Sequence, residues 1–170
     1  MQKMTSKEQL EGIIRLPIPR KRVGIVHLKM VKEEKTLYGM RRFGNAKEAV
    51  EMVRPLFQYM DREIMLVFSL DSKLQPMAVE IVAIGGVDSC IVDVKNIFKH
   101  VILNNASNII IFHNHPSGIP ETSREDKKVT MQIGEAGELL GIKLIDHIIL
   151  GNDDYHSMRE CLSGQDDRND

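Results

Sequence analysis

His113 and His115 stand one residue apart in the stretch HNHPSGIPETSRED, and Ser123 and Asp126 close it. Two imidazoles and a carboxylate form a three-ligand set for zinc. Three protein ligands leave a fourth position open for water, and that open position separates a catalytic zinc site from a structural one. Residues i and i+2 of an extended chain point to the same side, so a strand end carrying both histidines lets their rings converge on one ion. Ser123 and Asp126 also have a plainer reading. Ser-x-x-Asp is close to the capping box, in which Ser123 caps a helix and Asp126 complements its dipole. That reading explains neither the two histidines nor the loop that brings the chain back to them. The two duties are compatible, because a helix start places Asp126 in a first turn that can face the strand end.

Elements of both periods surround this stretch. Residues 23–31 are rich in β-formers and pair with a short strand near 36–40. Asn45 caps a helix with Ala46, Ala49, Val50, Val53, Phe57 and Met60 at helical spacing, and Pro55 should kink or shorten it. The run 64–68 is apolar on both faces, as in a central strand covered on both sides. The turn Asp71-Ser72-Lys73 leads into a second strand over 76–84. Asp93 opens a helix with an apolar stripe of Val94, Ile97, Phe98, Val101 and Ile102. The run 108–112 is a buried strand that delivers His113 to its end. A helix follows from Ser123 towards Leu140, with Val129, Ile133, Ala136 and Leu140 on its buried face and Gly141 as its stop. Strands over 143–150 and near 155–158 and a small helix near 159–162 complete the pattern. It predicts an α/β fold, a three-layer α/β/α domain around a mixed sheet.

Composition bounds the rest. The chain has 170 residues, 42% hydrophobic and 28% charged, which suits one soluble domain over residues 23–162. Residues 1–22 read as an extension bearing the basic cluster Arg20-Lys21-Arg22, and residues 163–170 as a disordered tail. No apolar run approaches the ~20 residues of a membrane span, and the N-terminus lacks the apolar core of a secretory signal. The expected location is the cytoplasm, with Cys90 and Cys161 as free thiols. A net charge of -1 and 5% aromatic residues argue against a nucleic-acid magnet or a base-stacking platform. Zinc deaminases need His-x-Glu and a later Pro-Cys-x-x-Cys, which the chain lacks.

His113-x-His115, seven residues beginning with Pro116, then Ser123-x-x-Asp126 resembles the JAMM zinc motif of the JAB/MPN metalloprotease superfamily. More narrowly, the text HNHPSG, the stretch AGELLGIKLIDHIILG and Asp61-Arg62-Glu63 before an apolar strand resemble the RadC family over roughly residues 45–162. Full-length RadC-like proteins carry an N-terminal helix-hairpin-helix region for which the sequence before Val23 is too short. The chain therefore resembles a stand-alone RadC-type JAB domain.

The resemblance implies a cytidine-deaminase-like fold and one Zn2+ per chain on His113, His115 and Asp126. It also implies a glutamate at a strand start as general acid/base, where Glu63 fits and Glu80 is the rival. The implied activity is hydrolysis of a peptide or isopeptide bond, with a metal-activated water, Glu63 carrying the proton and Ser123 stabilising the oxyanion. The implied substrate is a protein or peptide. The other reading, from RadC's association with DNA repair, is an accessory protein that binds nucleic acid or protein without catalysis. For DNA stand only Arg20-Lys21-Arg22 and Arg41-Arg42. His147, beside Asp146, reads either as a satisfied core histidine or as a group supporting the metal ligands. Asn114 and Ser117 either orient the loop or touch substrate.

Overall fold

A computed structural model of the chain describes residues 42–58, 60–85 and 93–159, all within one compact unit, residues 37–170. The expected strands at 23–31 and 36–40, the cluster Arg20-Lys21-Arg22, Arg41, both cysteines, most of the final helix and the tail lie outside the described residues.

Helix α1, Ala46–Val53, begins at Asn45, whose side chain accepts from the Glu48 N–H at 2.8 Å. Pro55 shortens it as expected: the chain tightens into a 3-10 turn over Arg54–Phe57, with the proline in the first turn where its missing N–H costs nothing. Met60 therefore leaves the helical face and stands exposed. Strand β1, Ile64–Leu70, is buried at every position. Strand β2, Pro76–Ile84, pairs antiparallel with it. Helix α2, Val94–Leu103, is capped by Asp93 and buries Ile97, Phe98 and Val101, while Ile102 points outward. Strand β3, Asn108–Asn114, helix α3, Arg124–Leu140, and strand β4, Lys143–Leu150, follow, and β5, Tyr155–Ser157, ends the sheet.

The strand order is β2-β1-β3-β4-β5. Only β3 and β4 run parallel, and α3 is the crossover between them. One face of the sheet buries Leu66, Phe68, Phe112 and Ile148 against α1. Phe68 meets the rings of Phe43 and Phe112 edge-on there, with centroids 5.8 and 5.5 Å apart. The other face buries Met65, Val67, Ile109 and Ile111 against Ile97, Phe98 and Val101 of α2 and Ile133 of α3. The result is the expected mixed sheet with helices on both faces.

Helix α3 packs the expected face except at its end. Ile133 is buried and Val129 and Ala136 pack against the same cluster, whereas Leu140 in the last turn is 46% exposed. Gly137 is buried where the helix stops: Ile142 N–H donates to its carbonyl at 2.8 Å, and a Cβ there would collide with the backbone oxygen of Ile142. Asp126 is buried in the first turn.

Candidate metal centre

Strand alternation places His113 on the α2/α3 face of β3, in phase with Ile109 and Ile111 and opposite Met65 of β1. Strand β3 ends at Asn114, so His115 already belongs to the following loop. Its ring still converges, with a centroid 4.9 Å from that of His113. The loop is pinned to the turn after β4: His115 N–H donates to the Leu150 carbonyl at 2.9 Å and Asn152 N–H to the Gly118 carbonyl at 3.0 Å. Gly118 has φ 80°, and a Cβ on it would strike the Asn152 side chain, so both backbone and space call for glycine.

Ser123 forms a complete capping box with Asp126. Its Oγ accepts from the Asp126 N–H at 3.0 Å, and both its N–H and its hydroxyl donate to Asp126 Oδ2, at 2.8 and 2.6 Å. The cap reading of the sequence is therefore met, and the same carboxylate faces the two histidines, as the ligand reading requires. Two donors hold Oδ2, and Oδ1 is left facing His113 Nε2 at 3.2 Å. Ser123→Ala is expected to cost about 1 kcal/mol of stability through the lost cap. Urea unfolding reads this as a lower midpoint at unchanged slope; an unchanged midpoint would show that the cap contributes nothing.

Glu63 lies just before β1 and in phase with Met65. Asn114 fixes it from both sides: its Oδ1 accepts from Ile64 N–H at 2.9 Å and its Nδ2 donates to the Arg62 carbonyl at 3.1 Å. Asn114 thus orients the backbone of Glu63. Ser117 accepts from Ile119 N–H within the loop. The Glu63 carboxylate reaches to 3.9 Å from His113 Nε2. Glu80, the rival, lies on β2 opposite Val67 and pairs with His100 of α2 instead.

Donor atoms of Glu63, His113, His115 and Asp126 all lie within 4.8 Å of one another. His113 Nε2 and His115 Nε2 are 3.0 Å apart. Two ligands held at 2.0–2.1 Å by a tetrahedral ion stand about 3.3 Å apart, so these spacings suit a zinc-sized centre. Two imidazoles also suit zinc better than magnesium or calcium, which take oxygen ligands. The residues present fit a bound transition metal.

The charges of the cluster are held apart. Burial pushes the Asp126 carboxyl up, but hydrogen bonds from His113, His115 and Ser123 outweigh it and keep the group well below the usual carboxylate range. The hydrogen bond to Asp126 raises His115, against the pull of burial. Glu63 is raised, chiefly by burial, with His113 and His115 opposing and Asp126 adding to the rise. One carboxylate is thus held ionised while its neighbour favours a proton, a contrast found at acid–base sites.

Sequence reasoning left His147 open and missed Thr130. His147, fully buried on β4, lies 2.7 Å by Nε2 from His113 Nδ1, and its Nδ1 lies 2.6 Å from Thr130 Oγ1. Thr130 stands one helical turn after Asp126 on α3, and that i+4 spacing was the available signal. A bulge at Ile145, opposite the Ile109–Ile110 step, turns His147 towards His113. Asp146 anchors the bulge by accepting from Ser157 Oγ and from the Arg159 and His147 N–H groups.

The mixed sheet and its helices bring two imidazoles and two carboxylates together as a group that could hold a metal ion, on an α/β domain. Residues 43–164 match the family described as RadC-like JAB domain, and the chain belongs to that family. It is 40% identical over 102 residues to a UPF0758 protein of Thermotoga maritima, covering 60% of this chain and 46% of that one. It is 42% identical over 116 residues to a UPF0758 protein of Clostridium tetani, covering 68% and 51%. A UPF0758 protein of Methanosarcina mazei is 36% identical over 120 residues, covering 71% and 52%. The chain spans about half the length of the curated relatives it matches. Among the described residues no helix is long and apolar enough to cross a membrane.

Proposed function

We propose that this domain is a zinc-dependent hydrolase of the JAMM type, acting on a peptide or isopeptide bond. The convergence of His113 Nε2, His115 Nε2 and Asp126 Oδ1, with the Glu63 carboxylate 3.9 Å from His113 Nε2, carries the reading. His113, His115 and Asp126 would hold the ion. Zinc bound there supplies Lewis acidity, which polarises a carbonyl and brings the pKa of a coordinated water towards ~7.

The protein's own groups supply the rest. Glu63, half-buried and favouring a proton, accepts one from the attacking water and returns it to the leaving amine. Asn114 keeps that carboxylate in place through the backbone on either side of it. Ser123 holds Asp126 and, when its hydroxyl swings from Oδ2, donates to the developing oxyanion. A cavity of about 590 Å³ opens beside His115, lined by Phe57, Met60 and Leu150 together with Arg54, Gln58 and Asn152 among others, and offers mixed polar and apolar space to a peptide side chain.

The test is chelation. A peptide or isopeptide substrate cleaved by the wild type should no longer be cleaved after zinc removal, and added zinc should restore cleavage. Hydrolysis that persists unchanged in metal-free protein would overturn the proposal.

A further inference from the structure

The tautomer of His113 can be derived from one backbone carbonyl. Thr130 Oγ1 lies 2.6 Å from the Asp126 carbonyl oxygen, which can only accept. The single hydroxyl hydrogen of Thr130 therefore goes to that carbonyl, and its oxygen accepts from His147 Nδ1 at 2.6 Å. His147 is fully buried and, among the described residues, has no carboxylate partner, so it is neutral, and a neutral ring with its hydrogen on Nδ1 has a bare Nε2. That bare Nε2 must accept from His113 Nδ1–H at 2.7 Å. The His113 hydrogen that the relay fixes is thus on Nδ1, which leaves Nε2 as the ring atom available to a metal, pointing at His115 and Asp126. His115 is fixed more simply, because its Nδ1 donates to the Ile119 carbonyl at 2.9 Å.

We infer that Thr130 and His147 are positioning residues that lock His113 in its metal-binding tautomer. Asp126 takes part twice, through its carboxylate as a ligand and through its carbonyl as the fixed end of the chain that orients the opposite ligand. The inference deepens the zinc-hydrolase reading and rests on it for its purpose, though not for its geometry.

A merely structural histidine would not dictate a tautomer. Imidazole 15N shifts of the metal-free wild type should show a hydrogen on His113 Nδ1; a bare His113 Nδ1 overturns the inference. His147→Leu and, should that variant fold poorly, Thr130→Val should weaken that tautomer and lower zinc affinity 10–100-fold in competition with a coloured chelator. His147→Gln keeps an acceptor for His113 Nδ1–H and should recover most of the affinity. Equal zinc affinity in the wild type, His147→Leu and Thr130→Val would also overturn it. A wild type with the expected tautomer and no zinc affinity would uphold the relay and sink the hydrolase reading, so the two failures are distinguishable.

Discussion

His113→Ala protein is expected to leave purification with almost no zinc, where the wild type carries about one ion per chain. His113 is the hub of the centre. Its Nε2 lies 3.0 Å from His115 Nε2, 3.2 Å from Asp126 Oδ1 and 3.9 Å from Glu63 Oε1. Structural zinc sites are worth about 10–16 kcal/mol over four ligands, so one ligand stands for roughly 3 kcal/mol, more than a hundredfold in affinity. The loss of His113 also leaves His147 Nε2 without its donor inside the core, which adds a folding cost. His115→Ala separates the two effects, because His115 sits in a loop and is partly exposed. It should lose zinc while unfolding at nearly the wild-type temperature. Elemental analysis of the three proteins reads the result. Full zinc in His113→Ala, or a folded wild type that takes up none, would remove the metal centre from the account.

The candidate ligand set was legible in the sequence because it is local. His113, His115, Ser123 and Asp126 fall within one strand–loop–helix passage, and the capping box and the strand end each leave a pattern of their own. The central strands were legible for the same reason: β1 and β3 each carry an unbroken apolar run, 64–68 and 109–112, because both faces are covered. What depended on distant contacts was not legible. Leu140 has the spacing of a buried residue, yet the core that covers Val129, Ile133 and Ala136 does not reach it, and it stands exposed. His147 reads as an ordinary core histidine until the bulge at Ile145 and its anchor Asp146 set which way it faces. Glu63 and Glu80 look alike as single acids beside apolar strands. Only the sheet register separates them, by putting the first near His113 and the second against His100.

That separation makes Glu63→Gln the most telling variant for catalysis. Glutamine keeps the shape and hydrogen-bonding reach of glutamate but cannot take a proton at neutral pH. Asn114 holds the backbone around position 63, so the substituted side chain should stay where the carboxylate was. The three ligands are untouched, and zinc content should remain near one per chain. General acid–base catalysis contributes about 10²–10⁴-fold, so kcat on any amide substrate the wild type cleaves should fall by that factor with little change in KM. Glu80→Gln is the matched control, since its carboxylate is occupied with His100 and should leave kcat unaltered. Wild-type turnover in Glu63→Gln would mean that Glu63 carries no proton. The metal would then serve a binding scaffold, or another base on a loop beside the centre would do the work. A fall in kcat together with loss of zinc would instead make Glu63 a fourth ligand, in keeping with its place in the same 4.8 Å cluster. Measuring kcat and zinc content on the same preparation therefore decides between proton carrier, ligand and bystander.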